Sequence, residues 1–416
     1  MAGKKRKRAA KPDPNMYQLK VFKFVKLHQT KSNKPPRPRS GHRIVCKNAS
    51  MYAIGGFNPT DSNDEVEESP LFKEVWRFDF MSRTWKKLEV ESLPNELASN
   101  SAILWDKFLF LYGGTAFPFG DRFNNKVYLC KLEDSEPKLI FKPLPTSEEI
   151  HPKQLYGQSI AIDNKHLYSV GGTDGFKYYM DVYRLDLRTN QWLKLFDQDI
   201  DNCAKCPEAR YRHEVVLYNN RLYVFGGGVS FEAFELDEIP VFNLETNEWT
   251  SLPSIGDASI TDNNGFPLKR KCHGCVQDPH DKALVFINGG YNDNSSVYND
   301  TWRIDLRTLE WKRITSLNLP NGTYFHSAAC TPDGRMVVFG GITINKRHTG
   351  HPHERTADVF STWIRIPRLA DACWDALDFY IRKKIITLPD DIRSWQLPFY
   401  DESRLRSAIK LNYPDV

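Results

Sequence analysis

One phrase recurs along this chain: a short apolar run that ends in two glycines. It reads Tyr52-Ala53-Ile54-Gly55-Gly56, Phe110-Leu111-Tyr112-Gly113-Gly114 and Tyr168-Ser169-Val170-Gly171-Gly172. It returns as Tyr223-Val224-Phe225-Gly226-Gly227, Val285-Phe286-Ile287-Asn288-Gly289-Gly290 and Val337-Val338-Phe339-Gly340-Gly341. The first glycines are separated by 58, 58, 55, 63 and 51 residues. Self-similarity at such a period marks a repeat architecture, in which each unit buries its faces only against its neighbours. Each run is too short for a buried helix and rich in aromatic and β-branched residues, so it reads as a buried strand. The glycines let that strand end where backbones crowd together and no Cβ would fit.

A second phrase follows each glycine pair. An alternating strand such as Val75-Trp76-Arg77-Phe78-Asp79 or Thr301-Trp302-Arg303-Ile304-Asp305 leads into a tight polar turn. A run with an aromatic and, three residues on, an aliphatic comes next: Trp85…Leu88, Phe141…Leu144, Trp192…Leu195, Trp249…Leu252 and Trp311…Ile314. Three or four strands per repeat with an outer aromatic is the pattern of a β-propeller blade, and over residues 38–366 the chain resembles the kelch family. The expected fold is all-β, a six-bladed kelch propeller, with a C-terminal helical segment behind it.

The expected organisation is a disordered basic arm at 1–16, the propeller at 17–366 and a helical region at 367–416. Ring closure would leave the sixth blade one outer strand short, and the alternating stretch 19–27 is expected to supply it, since closure removes exposed sheet edges. A disordered linker is the alternative. Polar inserts at 61–68 and 345–356 follow the first and last glycine pairs, and both are expected to rim the same opening.

Net charge is +5, but residues 1–43 hold fourteen Lys and Arg against Asp13 alone, leaving the remainder at about −8. The propeller is therefore acidic, which argues against a nucleic-acid surface. Lys4-Lys5-Arg6-Lys7-Arg8 reads as a nuclear import signal or as a solvated tail. There is no run of about 18 apolar residues and no apolar leader, so neither a membrane span nor secretion is expected. The eight cysteines form no framework and fit reduced thiols in the cytoplasm and nucleus.

Catalytic signatures fail. No G-x-S-x-G elbow, Walker loop or H-E-x-x-H helix occurs, so no catalysis and no cofactor are expected. Cys203-x-x-Cys206 and Cys272-His273-Gly274-Cys275 have the spacing of zinc half-sites, but packing cysteines are the plainer reading, and no metal is expected.

An Arg-x-x-His spacing recurs at the head of the innermost strand, as Arg39…His42, Arg210…His213 and Arg270…His273, with His326 and Gln158 in the corresponding places. The histidine or glutamine falls 13 to 16 residues before its Gly-Gly, so these residues occupy equivalent positions round the central channel. Converging guanidinium groups suit an anion, best a carboxylate or phosphate gripped in bidentate fashion. The expected pocket takes a peptide carboxylate on Arg210 and Arg212, then Arg39 and Arg270, with His42, His213, His273 and His326. Tyr156, Tyr211, Tyr291 and Tyr324 would form its walls. Alternatively, each arginine braces a neighbouring loop.

Behind Ile366 the strand pattern gives way to helical spacing at Leu369, Cys373, Ala376, Leu377 and Tyr380, with Pro367 suited to a first turn. Leu369, Cys373 and Leu377 resemble an elongin-binding box, and Leu388-Pro389-Asp390-Asp391-Ile392 resembles the opening of a cullin-2 box. In this order behind a kelch ring, the motifs resemble the kelch-repeat substrate receptors of cullin-2 RING ubiquitin ligases. The resemblance implies elongin B/C and cullin-2 with its RING subunit as partners. It also implies capture of substrate C-terminal tails (C-degrons), with no nucleic acid or membrane bound. A kelch scaffold for a cytoskeletal or signalling protein is the competing expectation.

Overall fold

The computed structural model describes residues 15–29, 34–59, 69–133, 138–146, 150–200, 206–292, 296–344 and 353–385. Among these residues lie six four-stranded antiparallel sheets. Sheet 1 runs Arg43–Cys46, Ser50–Ile54, Val75–Asp79, Thr84–Lys87, hydrogen-bonded in that order. Sheets 2 to 5 repeat the plan, starting at Ser101–Trp105, Ser159–Ile162, Glu214–Tyr218 and Gly274–Gln277. Sheet 6 takes Ser327–Cys330, Arg335–Phe339 and Val359–Trp363, and its outermost strand, Val25–Lys26, comes from the other end of the chain.

The innermost strands surround one axis, and a belt of backbone hydrogen bonds joins their heads. One residue at each head has left-handed backbone: Gly41, Ser99, Gly157, Arg212, Cys272 and Phe325, with φ from 53° to 68°. Each donates its N–H to the carbonyl of the one before it: Ser99 to Gly41 at 3.0 Å, Gly157 to Ser99 at 3.0 Å, Arg212 to Gly157 at 2.7 Å. Cys272 then donates to Arg212 at 3.2 Å, Phe325 to Cys272 at 3.0 Å, and Gly41 back to Phe325 at 3.0 Å. The circle closes, and the architecture is a β-propeller.

The glycine pairs mark where adjacent sheets interlock. A Cβ on Gly171 of sheet 3 would stand 2.7 Å from Cε1 of His213 in sheet 4, and one on Gly340 of sheet 6 would stand 2.6 Å from Cε1 of His42 in sheet 1. Both glycines have positive φ, so a side chain would be strained as well as blocked. Apolar clusters fill the space between neighbouring sheets. Trp311 of sheet 5 lies 6.1 Å from Phe225 of sheet 4 and donates its Nε1 to Leu236 O at 3.1 Å. Trp85 of sheet 1 packs 5.0 Å from Phe339 of sheet 6, the same contact across the chain's closing seam. Fully buried indoles of this kind each remove a large apolar area from water, which is why the outer-strand aromatics recur.

At the seam, Val25 pairs with Ser361 and Lys26 with Phe360, while Leu27 N donates to Val359 O at 2.8 Å. The stretch 19–27 is not one continuous strand, however. Phe22 has φ of 52°, which turns the chain and confines the ladder to Val25–Lys26. Phe22 and Phe24 instead pack on the apolar cluster shared by sheets 5 and 6.

After sheet 6 the described residues form one helix, α1, which spans Leu369–Arg382. Ala372 N donates to Arg368 O at 3.0 Å, so Arg368 opens the helix and Pro367 falls just outside the first turn in which its sequence position suggested it. No helix among the described residues is long and apolar enough to cross a membrane. The basic run 4–8, insert 61–68, most of insert 345–356, Cys203, Leu388, Pro389 and Ile392 lie outside the described residues.

Candidate functional site

The arginines of the recurring motif part company in three dimensions. Arg39, Arg210 and Arg270 are fully buried and make the same contacts three times over. Each donates Nε to the carbonyl two residues back, at Arg37, Glu208 and Leu268, at 3.1, 3.0 and 2.9 Å. Each donates NH1 to the first glycine carbonyl of its own sheet: Gly55 at 2.8 Å, Gly226 at 3.1 Å, Gly289 at 3.0 Å. Each also lies 4.5 Å from an aromatic ring, Phe72, Phe234 or Tyr298. Arg39 is further paired with Glu74 at 2.6 Å, and Arg270 with both oxygens of Asp300 at 2.7 and 3.1 Å. Loop bracing, the alternative open at the sequence level, is what these bonds describe. Burial leaves no face of these three guanidiniums turned to a ligand.

The histidines are likewise buried wedges between sheets. His42 Nε2 meets Phe339 O at 3.0 Å, His213 Nε2 meets Val170 O at 3.1 Å, and His326 Nε2 meets Asn288 Oδ1 at 2.7 Å. His273 fills the corresponding space beside Gly226 and Gly290. Burial, reinforced by Arg210, pulls His213 down to about 3, and burial takes His326 to about 4. Burial and the adjacent Arg39 and Arg270 hold His42 and His273 well below the ordinary imidazole range. All four are neutral near pH 7 and belong to the packing of the ring rather than to a pocket.

Arg212 is different. It belongs to the left-handed belt that links the heads of the inner strands, and unlike Arg39, Arg210 and Arg270 it is only half-buried. Its Cζ lies 4.6 Å from the Phe325 ring and 5.7 Å from the Tyr211 ring. Its Nε is buried with no hydrogen-bond partner among the described residues. On one side Tyr211 meets Tyr156 and Tyr178, with ring centroids 6.3 and 5.3 Å apart, and Phe123 stacks on Tyr156 at 5.9 Å. On the other, Tyr291, Tyr324 and Phe325 form a cluster with centroids 4.7 to 6.1 Å apart. Burial pushes the Tyr211 phenol up to about 12, so these walls are neutral. A second guanidinium stands nearby on the same face: Arg355 lies 5.3 Å from the Phe57 ring and donates Nε to Ser40 Oγ at 3.0 Å.

The structure thus brings together Arg212, Tyr156, Tyr211, Tyr291 and Tyr324, and separates them from Arg39, Arg210, Arg270 and the histidines. Phe325, Phe123, Tyr178 and Arg355 were not singled out from the sequence. Phe325 had a signal, since it directly precedes His326 just as Arg212 precedes His213. Gly41, Ser99 and Gly157 occupy the equivalent places in sheets 1 to 3, and a Cβ on Gly157 would lie 3.0 Å from the Tyr211 ring and 3.4 Å from Arg212 Cδ, so that place is filled by its neighbours in sheet 4. An unsaturated cation between aromatic walls suits an anionic group attached to a flat or small apolar moiety.

Elsewhere, α1 turns Leu369 and Cys373 outward, Leu369 being 79% exposed, with Leu377 half-buried. Cys272 takes part in the belt, and no group of three His, Cys, Asp or Glu side chains converges among the described residues.

Residues 2–227 match the family model described as the KLHDC2/KLHL20/DRC7 Kelch-repeats domain, and residues 167–358 match that of the Attractin/LZTR1 beta-propeller. The chain is 36% identical over 351 residues to Kelch domain-containing protein 10 of Homo sapiens, covering 83% of this chain and 75% of that one. It is 38% identical over 348 residues to the Xenopus tropicalis protein of that name, covering 82% and 79%. The Drosophila melanogaster homolog is 36% identical over 382 residues, 88% of this chain and 62% of its own length. The repeated glycine wedges, the closed belt of strands and these similarities together make the chain a member of the kelch-repeat β-propeller family, homologous to Kelch domain-containing protein 10.

Proposed function

We propose that this chain is a non-catalytic substrate receptor of a cullin-2–elongin B/C RING ubiquitin ligase. Its six sheets are the blades of one ring, and the mouth of that ring receives the C-terminal tails of substrate proteins. The observation that carries the proposal is Arg212, a half-buried guanidinium on the belt of inner-strand heads, with its Nε unpartnered among the described residues and rings on two sides. A terminal carboxylate offers two oxygens to the planar fork of an arginine, and only the end of a chain carries that group without a side chain in the way. Tyr156, Tyr211, Tyr291 and Tyr324 confine the residues that precede it. Arg39, Arg210, Arg270 and the four histidines support the pocket by fixing the loops from which Arg212 projects.

The ligase assignment draws support from α1, whose Leu369 and Cys373 are apolar knobs facing solvent one helical turn apart. Leu377 continues that stripe, and Leu388, Pro389 and Ile392 would follow with the cullin contact. Function in the cytoplasm and nucleus, with Lys4–Arg8 directing import, completes the proposal.

A peptide library with free C-terminal carboxylates, and the same library amidated, tests the pocket against the full-length chain and its Arg212→Ala variant. Free acids are expected to bind the wild type at least tenfold better than amides, and Arg212→Ala is expected to abolish the difference, as loss of one arm of a charge-assisted pair costs roughly 2–5 kcal/mol. Equal binding of amides and acids refutes the carboxylate assignment. Failure of purified elongin B/C to bind the wild type would leave a protein-binding scaffold outside any ligase.

A further inference from the structure

Two segments distant in sequence, 17–26 and α1, meet on the outer side of sheet 6. The N-terminal segment that supplies the strand Val25–Lys26 runs back past Trp363, with Phe22 N donating to Trp363 O at 2.8 Å and Lys23 N to Thr362 Oγ1 at 2.9 Å. It then reaches α1. Tyr17 N donates to the Tyr380 hydroxyl at 3.1 Å, and the Tyr17 ring lies 5.8 Å from that of Phe379. Trp363, the last residue of its strand, donates Nε1 to Asp375 Oδ2 at 2.8 Å. Arg335 donates to Asp375 Oδ1 at 2.8 Å while its guanidinium lies 4.3 Å over the Trp363 ring. One seam therefore contains residues from the segment 17–26, sheet 6 and α1.

That seam has a directional consequence. A helix of 14 residues is marginal on its own in water and needs docking to hold its shape. At its start α1 is held through Arg368, paired with Asp333 at 3.0 Å, and the buried Asp371; along its length Asp375, Phe379 and Tyr380 dock it, and the knobs Leu369 and Cys373 stay outside these contacts. The turn of the helix is thus set by the seam, and the seam includes a stretch more than 340 residues away in sequence.

We propose that the N-terminal segment around Tyr17 is a positioning strap for α1: by gripping Phe379 and Tyr380 while its other end completes sheet 6, it fixes which face of the helix is offered to a partner. Asp375, anchored by Trp363 and Arg335, is the second point of attachment. Closure of the ring and presentation of the helix are then a single event. The consequence for elongin B/C rests on the receptor reading given above, whereas the strap itself does not.

Tyr17→Ala, Asp375→Asn and Tyr380→Phe in the full-length protein test it. Tyr380→Phe removes only the hydroxyl that accepts the Tyr17 N–H, so it leaves packing in place. Hydrogen exchange across residues 369–382 is measured alongside that of the strand Phe108–Tyr112, which is remote from the seam. Exchange in α1 should accelerate at least tenfold in Tyr17→Ala and Asp375→Asn and several-fold in Tyr380→Phe, with Phe108–Tyr112 unchanged. Affinity for purified elongin B/C should fall in the same order. Unchanged exchange in α1 in all three variants overturns the strap. Faster exchange in a protein whose wild type does not bind elongin would instead keep the strap and discard the receptor reading.

Discussion

Lowering the pH should loosen this propeller through its wedge histidines, and His213 allows the effect to be isolated. In the folded protein burial, with Arg210 beside it, holds this imidazole at about 3, whereas in an unfolded chain an ordinary histidine titrates near 6.5. Between those values the unfolded chain binds a proton that the folded one refuses, so the free energy of unfolding falls as pH falls through that window. The contribution is complete above about 6.5 and is progressively lost below it. At about 1.4 kcal/mol per pH unit, going from neutrality to pH 5 removes roughly 2 kcal/mol for this residue alone. His326, at about 4, acts with the same sign, as do His42 and His273. The informative variant is His213→Gln, because sheet 3 already carries Gln158 in this place, where its Nε2 donates to Tyr112 O at 3.4 Å. Urea unfolding, followed by tryptophan fluorescence at neutral pH and at pH 5, should show the variant losing about 2 kcal/mol less than wild type on acidification. Identical pH dependence in the two proteins would refute the neutral buried histidine and the wedge role derived from it.

Arg270→Met should destabilise the ring by about 3 kcal/mol in the same urea assay, because Asp300, largely but not fully buried, would lose its bidentate partner. Deleting residues 1–28 should lower the melting temperature by exposing the outer edge of sheet 6, while deleting 1–14 should leave it unchanged; equal melting would refute the closing role of Val25–Lys26. Leu369→Ala combined with Cys373→Ala should abolish elongin B/C capture by about 30-fold or more in a pull-down, with an unaltered melting curve, since both side chains face solvent.

Much of the fold is written locally. A glycine pair after an apolar run, then an alternating strand, then an outer aromatic is a pattern within some fifty residues, and hydrogen-bonded antiparallel neighbours follow one another in sequence in sheets 1 to 5. That is why the repeat could be read without knowing what the repeats touch. The extent of the closing segment was less legible, because Phe22 alternates correctly on paper and only its left-handed backbone in the folded chain breaks the strand.

The pocket shows where such reading stops. Arg210 and Arg212 are the same residue type two positions apart, both ahead of one histidine, and the sequence gives no reason to separate them. Tertiary packing does. Arg210 is drawn into the wall, where the carbonyls of Glu208 and Gly226 and the ring of Phe234 satisfy it. Arg212 lies on the belt that links the inner strands, half-buried, with its guanidinium 4.6 Å from the Phe325 ring of another sheet. The motif by itself determined that charged residues would gather at the heads of the inner strands. Which of those charges the protein consumes in holding itself together, and which it leaves for a ligand, was decided by packing, within a sheet for Arg210 and across sheets for Arg212, because burial is a property of the assembled surface and not of the segment that carries the charge.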